Sequence, residues 1–526
     1  MSDASEGLVH DTAVVGAGVA GLYSAWRLQE AGRTAGRSVV LFEGSSRIGG
    51  RLMSVTPPGM PQARAELGGM RFPVHHQRVQ ALVAHLGLAT QPFASDQSGN
   101  IAFLRGRTLR TTDLTDPDKI PYALSPREQA GARTCITAMV ARDCLAEVLT
   151  VPNTDLDMAA WREHARSGRY ADHMLRDLTV REVFDRVVGQ DAFQFVQDAS
   201  GYNSIYAMWN AADGFPWILS GYGKSAEYRC LAQGYEALPH ALAAQFTAAG
   251  GELKMGHRLQ SFDRAVLQDG TEAIELQLIG GSGPITVRVR QLVLALPRRA
   301  LELLAPTGAM LGPEQVEVRR LIESVQPIPL SKLVLCYRKR WWEALGIQQG
   351  RSVTDLPIRQ CYYGHGGGDS DAGYILIYND GLDTSALADL RSDPQHHPSA
   401  PCAFAEDALN EDWRDHPAPA ALVKEAHRQL LLMHGLDEHP DLLPYAAAYR
   451  DWQTDPYGGG ANFWQRQVNS DEVAQKILQP VSDLAAYICG EAYSHAQGWV
   501  EGALATAENM LQRHLGLCAP SYLARP

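Results

Sequence analysis

A chain of 526 residues is too long for one ordinary core and should fold as two or three domains. Apolar residues make up 45% and charged residues 20%, the balance of a globular chain rather than a disordered one. The formal net charge is -12, with the charges scattered and no long basic run, which argues against nucleic acid or an anionic membrane as the main partner.

The N-terminus, Ser2 to Glu6, is acidic and polar, and the first apolar run already belongs to a strand. No secretory signal is visible and no stretch of about 20 apolar residues occurs, so a cytoplasmic location is the default expectation. The eight cysteines are far apart and form no C-x-x-C pair, so they are read as buried free thiols rather than zinc ligands or disulfides.

In chain order, Asp11–Val15 reads as a short buried strand and Gly16-Ala17-Gly18-Val19-Ala20-Gly21 follows it. An apolar helix through Leu22, Ala25, Trp26 and Leu28 then ends at Ala31-Gly32, and a second strand, Ser38 to Phe42, delivers Glu43 to its carboxyl end. This is one βαβ unit of a doubly wound α/β fold. From about Pro121 to Tyr228 the chain turns to long amphipathic segments such as Pro126 to Leu149 and Leu178 to Asp198, an inserted helical region. A helix returns at Gln233 to Gln245, then strands at Ala273 to Leu278 and Ile285 to Val289, and a buried strand from Gln291 stopped at Pro297. Strands at Lys332 to Tyr337 and Tyr374 to Tyr378, helix over 399–435, a strand at Ala486 to Cys489 and a helix from Val500 to Leu515 complete the pattern.

The glycines of the first turn have distinct mechanical roles. Gly16 permits the tight strand-to-helix turn, Gly18 lets the backbone approach a pyrophosphate, and Gly21 lets helix and strand pack closely. The helix N-terminus offers free N–H groups to the phosphates, and Glu43, 22 residues past Gly21, is placed to accept hydrogen bonds from an adenosine ribose. These features specify a dinucleotide but do not separate FAD from NAD.

The next residues, Ser46-Arg47-Ile48-Gly49-Gly50-Arg51, resemble the segment that flavin amine oxidases run along the FAD pyrophosphate. The far end is similar to the same family: Tyr487-Ile488-Cys489-Gly490-Glu491-Ala492-Tyr493, then Gly498-Trp499-Val500-Glu501-Gly502-Ala503. Gln233–Pro239 and Ala295–Leu301 also fit, so the likeness runs from residue 13 to about 510. It implies FAD contacts from Gly16, Ala17, Gly18, Ala20, Gly21, Glu43, Gly44, Gly50, Arg51, Gly69, Met70, Arg71, Leu259, Gly490, Glu491, Trp499 and Val500. It further implies that the final helix points its N-terminus at the flavin pyrimidine. Asp455–Ala461, which matches the segment that carries a flavin-bound cysteine in monoamine oxidases, has no thiol, so the FAD is expected to be non-covalent.

The implied architecture is α/β (α+β overall): a Rossmann-type FAD-binding domain from 8–70, 231–325 and 481–520, a discontinuous substrate-binding β-sheet domain from 71–115 and 326–480, and a helical domain at 116–230. Within Glu66-Leu67-Gly68-Gly69-Met70-Arg71-Phe72-Pro73, the arginine after the double glycine resembles the carboxylate-binding residue of L-amino acid oxidases. A planar guanidinium matches a carboxylate bidentately and stays charged in a dry pocket. By the same resemblance Lys332 would hold a water near the flavin and assist reaction with O₂. Tyr378 would donate to the carboxylate, with Tyr374 as the competing assignment on the same strand parity. Trp499 would form an aromatic wall, and the Gly498 carbonyl would accept from the substrate amine. Trp209, Asp213 and Trp217 are candidate pocket walls, Asp213 serving either a basic side chain or a helix cap.

The expected activity is oxidative deamination of L-α-amino acids, first of a broad range or of large neutral or aromatic ones and second of basic ones, by a homodimer acting on small molecules and O₂. An L-amino acid 2-monooxygenase shares the same clamp and stays open. An amine or polyamine oxidase, a flavin-binding protein without turnover and a nicotinamide-dependent dehydrogenase are the remaining alternatives.

Overall fold

A computed structural model of the protein describes residues 9–145, 162–163, 165, 168–221, 227–267, 270–368, 370–398 and 411–523. Its first sheet is built on Val9–Val15, which pairs in parallel with Val39–Phe42 on one side and with Gly283–Leu294 on the other. Glu252–Lys254 extends the sheet beyond Val39–Phe42, and Ala486–Ile488 lies parallel to the end of Gly283–Leu294. Glu272–Gly280 and Arg258–Val266 continue the sheet antiparallel on the far side. Where they pair at the centre, Ala13–Val15, Val39–Phe42 and Leu292–Leu294 are apolar without a break because both of their faces are covered. Val14, Leu41 and Val293 pack under the helices Val19–Gly32, Ala237–Ala248 and Val500–Leu515, while Ala13, Val15, Val40, Phe42, Leu292 and Leu294 face the opposite core.

The second sheet also has seven strands, in the order Ala446–Asp451, Leu330–Tyr337, Gly373–Asp380, Gln360–His365, Gly350–Thr354, Ile101–Leu104 and Arg107–Arg110. Its register sets Lys332 opposite Tyr378 and Tyr378 opposite Gln360. Val325–Ile328 pairs with Ala461–Trp464 as a ribbon.

Several expected elements differ. Ile285–Val289 and the strand from Gln291 form one strand, Gly283–Leu294, because its first half pairs with Glu272–Gly280 while its second half pairs with Val9–Val15. The segment read as helix from Pro126 to Leu149 is two helices, Pro126–Ala132 and Ile136–Leu145, and 146–149 lie outside the described residues. Leu178 to Asp198 is likewise divided into Val180–Val187 and Gln190–Ser200, with Gly189 capping the second. Each of the two opening helices, Pro126–Ala132 and Val180–Val187, begins at a reciprocal side-chain cap, Ser125 with Glu128 and Thr179 with Glu182, a local signal for a fresh start. Over 399–435 the helices are Glu411–Arg414 and Ala420–His434, and 399–410 lie outside the described residues. Tyr228–Leu231 pairs with Phe72–Pro73 and Thr90–Pro92, so the end of the span read as helical is a strand.

Among the described cysteines Cys144, Cys336, Cys361 and Cys489 are buried, but Cys135 and Cys518 are exposed, against the expectation of buried thiols throughout. Cys402 lies outside the described residues. Among the described residues no helix is long and apolar enough to cross a membrane.

Candidate active site

A cleft lies between the carboxyl ends of the first sheet and the second sheet. One end is the glycine turn. The Gly16 N–H donates to the Phe42 carbonyl at 2.8 Å and the residue takes φ +102°, a turn that a side chain would oppose. A Cβ on Gly21 would lie 1.9 Å from the Gly16 carbonyl oxygen, so its role is helix packing, and it does not line the cleft. Gly18, which caps the helix Val19–Gly32, faces Gly50: a Cβ on Gly50 would sit 3.2 Å from the Gly18 Cα. The Gly49 N–H bonds the Ala17 carbonyl at 2.8 Å, so the two glycine loops are zipped together where a phosphate-bearing ligand would pass. Glu43 lines this end, its carboxylate accepting from the Ala17 N–H at 2.7 Å and the Ser45 N–H at 2.9 Å. Both bonds fix its oxygens while leaving lone pairs for a ribose.

The two arginines of the R-I-G-G-R segment have different work. Arg47 props the loop from behind, donating to the carbonyls of Ile48, Gly50 and Leu52 at 2.7–2.8 Å. Arg51 lines the cleft and pairs with Glu491 at 2.8 Å. Glu491 also accepts from the Asn462 N–H and side chain and from the Gly498 N–H, which ties the C-terminal motif to the ribbon. The helix Val500–Leu515 presents Val500 and Ala503 to the cleft. Its first-turn acid, Glu501, is turned away to accept from the Arg78 and Val79 N–H groups of the helix Gln77–His85, so that carboxylate does not oppose the dipole facing the cleft.

At the other end Gly69, Met70, Arg71, Lys332 and Tyr378 come together on the lining. Arg71 is 5% exposed and its guanidinium lies 4.4 Å from the Tyr228 ring, 5.1 Å from Phe93 and 5.6 Å from Tyr362, while it donates to the Tyr362 hydroxyl at 3.2 Å. A flat cation suits such a stack. Lys332 donates to the Gly68 carbonyl and sits 5.2 Å from the Tyr378 ring centroid. Burial lowers the lysine's pKa to about 7, with Glu66 opposing the shift and Arg71 adding to it. Burial likewise raises Glu66, although Ser54 and the Tyr235 N–H donate to its carboxylate. Burial holds the Tyr378 hydroxyl protonated, as a donor. Tyr374 is excluded from the cleft: its hydroxyl donates to the Arg64 carbonyl at 2.8 Å.

The remaining wall is apolar: Tyr202, Ile205, Trp217, Phe463 and Trp499. Trp499 packs against Trp217, Tyr228 and His76, and the Trp217 N–H donates to the Gln497 carbonyl at 2.9 Å. Gly498 lines the cleft at φ +79°.

Of the expected contacts, Gly16, Gly18, Ala20, Glu43, Gly50, Arg51, Gly69, Met70, Arg71, Lys332, Tyr378, Gly490, Glu491, Gly498, Trp499 and Val500 all lie on this one cleft. Ala17, Gly21, Gly44 and Leu259 do not line it; Ala17 shapes the turn through its N–H, Gly44 abuts Arg258, and the Leu259 side chain is buried in the core. Two expected pocket walls are corrected. Trp209 stacks behind Phe463, with ring centroids 3.9 Å apart, and does not reach the cleft. Asp213 is also outside it, accepting from Asn210 at 3.0 Å and Ser470 at 2.9 Å, with Arg162 at 3.7 Å. Sequence reasoning missed Tyr202, Asp380, Trp452, Asn462 and Phe463; Tyr457, also on the lining, lies within the segment Asp455–Ala461 that the family resemblance had marked. Their positions come from segments far apart in the chain, and no local spacing marks them.

The cleft fits a flavin dinucleotide: a glycine cradle and a fixed carboxylate at one end, a helix N-terminus along one side, and hydrogen-bonding and aromatic groups at the other. The family model for flavin containing amine oxidoreductases matches residues 19–510. Achacin of Lissachatina fulica is 28% identical over 96% of this chain and 93% of its own. The flavin-dependent L-tryptophan oxidase RebO of Lentzea aerocolonigenes is 25% identical over 94% and 95%, and the L-amino-acid oxidase of Siganus canaliculatus 23% over 94% and 83%. Among solved structures, cyclohexylamine oxidase from Brevibacterium oxydans superposes with a TM-score of 0.64 at 16% identity, covering 95% of this chain and 99% of its own, a likeness of fold.

Proposed function

Because the chain belongs to the flavin containing amine oxidoreductase family, with FAD as its cofactor, we propose that it is an L-amino acid oxidase acting on large neutral or aromatic substrates. The observation that carries this reading is the buried, ring-stacked Arg71 on the same cleft as the glycine cradle and Glu43. Arg71 and Tyr378 would hold the substrate carboxylate, fixing the direction of the Cα–H. The apolar wall of Tyr202, Ile205, Trp217, Phe463 and Trp499 would receive the side chain and exclude water. A dry pocket beside two cationic groups favours the neutral form of the substrate amine, the form from which hydride can leave. When bound, FAD would supply the redox chemistry, as acceptor of the hydride and donor of the electrons that return to O₂ as hydrogen peroxide. Lys332, with its pKa lowered to about 7, can hold or release a proton at Nζ during that return. The imino acid then takes up water and leaves as a 2-oxo acid and ammonia. Relatives named as L-amino-acid and L-tryptophan oxidases support the reading, whereas the amine oxidases among the structures share the fold at 14–16% identity. Among the described residues no cysteine or histidine lines the cleft, which supports non-covalent FAD.

Anaerobic addition of L-amino acids, D-amino acids and simple amines, followed by air and a peroxide assay, tests the proposal. Bleaching by L-amino acids alone, with peroxide and 2-oxo acid formed on reoxidation, is expected. Bleaching by amines that lack a carboxylate would remove Arg71 from its role, and amide with CO₂ as products would move the reaction to a monooxygenase.

A further inference from the structure

The strand Gln360–His365 carries, behind the cleft, a side chain whose two ends bond to the supports of two different lining residues, Arg71 and Tyr202. Gln360 is fully buried. Its Oε1 accepts from the Tyr362 hydroxyl at 3.0 Å, and that hydroxyl in turn accepts from Arg71 Nη1 at 3.2 Å. Its Nε2 donates to the Gly201 carbonyl at 2.9 Å. Gly201 ends the helix Gln190–Ser200 in the left-handed conformation, and a Cβ there would fall 2.5 Å from the Gln360 Cγ. The next residue is Tyr202, which lines the cleft and meets Tyr378 edge-on, the ring centroids 5.7 Å apart.

We propose that Gln360 is a positioning residue for substrate selection, joining the guanidinium that holds the carboxylate to the wall that receives the side chain. The proposal rests on the assignment of Arg71 made above. An amide suits the place because one end must accept and the other donate, and because a third charge would disturb the two buried arginines already there. Arg351 is the second of them, donating to the Ser200 carbonyl at 3.0 Å and to the Gln360 Oε1 at 3.4 Å, with Asp96 as its counter-ion at 3.0 Å. Two residues beyond Tyr378, Asp380 accepts from the Asn203 N–H at 3.0 Å, the Ser204 N–H at 2.9 Å and the Ser204 hydroxyl. The backbone is therefore stitched to the sheet on both sides of Tyr202, at Ser200 and Gly201 before it and at Asn203 and Ser204 after it, and the Gln360 stitch is also hydrogen-bonded in line with Arg71. The distance between carboxylate clamp and side-chain wall is set by this chain of bonds, so the wall determines which side chains fit once the carboxylate is seated.

Two variants of the holoenzyme separate this role from a structural one. Tyr362→Phe cuts the link to Arg71 and leaves Gln360 bonded to Gly201, so KM should rise about tenfold for all L-amino acids, and the ranking should flatten by less than in Gln360→Met because the wall keeps its own bond. Gln360→Met, close in volume, cuts both links: KM should rise by a similar factor, kcat should change less than about threefold, and the preference for aromatic over small side chains should flatten by about tenfold. Combining Gln360→Met with Tyr202→Ala should flatten the ranking no further than Gln360→Met alone, because both act on one wall. Gln360→Met with its ranking intact, or ranking effects that add in the double variant, would overturn the proposal. If Gln360→Met does not fold, Gln360→Glu provides the second reading: a carboxylate beside Tyr362 and Arg351 should weaken binding of benzoate, followed by the flavin spectrum, by at least about tenfold, and unchanged benzoate binding overturns the proposal as well. A wild-type enzyme bleached by no L-amino acid would instead defeat the functional reading itself, before any variant is compared.

Discussion

Arg71→Met is the perturbation with the largest expected effect. The guanidinium is 5% exposed, stacked 4.4 Å from Tyr228 and 5.1 Å from Phe93, so under the proposed function its charge would meet a carboxylate in a medium that screens it poorly. Truncating one partner of a buried, hydrogen-bonded charge pair costs about 2–5 kcal/mol. In kcat/KM that is about 30-fold to 5000-fold. Arg71→Lys keeps the charge but loses the fork and the planar stack, and a loss of about 1.5–3 kcal/mol, roughly 10- to 150-fold, is expected. The assay is anaerobic stopped-flow reduction of the bound flavin against amino acid concentration, repeated with the decarboxylated amine of the best substrate. The amino acid should lose ground while the amine does not, so discrimination between the two should shrink by about the same factor as kcat/KM. Reduction by the amino acid retained within about threefold in Arg71→Met would refute the reasoning, because no carboxylate clamp of this geometry could be removed at so small a cost.

Other outcomes follow from the same geometry. Burial draws Lys332 from its ordinary 10.5 to about 7, so between those values the unfolded chain holds a proton that the folded chain has released, and stability rises with pH across that window. Lys332→Met abolishes the difference: its melting temperature should rise less steeply from pH 7 to 10 than that of the wild type, and an unchanged slope would refute the shift. Glu43→Gln leaves the fold in place but replaces one acceptor oxygen by a donor facing the Ala17 or Ser45 N–H, and FAD should dissociate about 10- to 100-fold more readily, measured by release of flavin fluorescence. Asp213→Asn should lower thermal stability by about 1–3 kcal/mol, since the carboxylate serves Asn210, Ser470 and Arg162, while leaving the relative rates for basic and neutral amino acids unchanged. A selective loss with lysine or arginine as substrate would return Asp213 to the pocket.

The nucleotide end was legible in the sequence because its function is local. Gly16, Gly18 and Gly21 act within a single turn, and Glu43 follows from the length of one helix and one strand, so spacing along the chain is nearly spacing in space. Capping pairs such as Ser125 with Glu128 and Thr179 with Glu182 are local too and agree with the starts read near Pro126 and Leu178, whereas the start at Gln190, run into its predecessor by periodicity alone, has Gly189 before it and no side-chain cap. The choice between Tyr374 and Tyr378 was not local. Both stand on one strand at the same parity, and only the sheet decided it, setting Tyr378 opposite Lys332 at the cleft and Tyr374 under Arg64.

The sequence by itself determined a glycine cradle with its carboxylate, the motifs at both chain ends, and an arginine, a lysine and a tyrosine fit for amino-acid chemistry. Tertiary structure alone decided which aromatic and acidic residues face the substrate. Asp213 and Trp209 were drawn away, one into a cap with Asn210 and Ser470 and the other behind Phe463, while Tyr202, Phe463 and Asp380 were brought in. The physical reason is that a buried polar group goes wherever its hydrogen bonds are satisfied and a ring wherever it packs: Asn210, three residues from Asp213, is within reach of a local capping rule, but Ser470 and Phe463 are not.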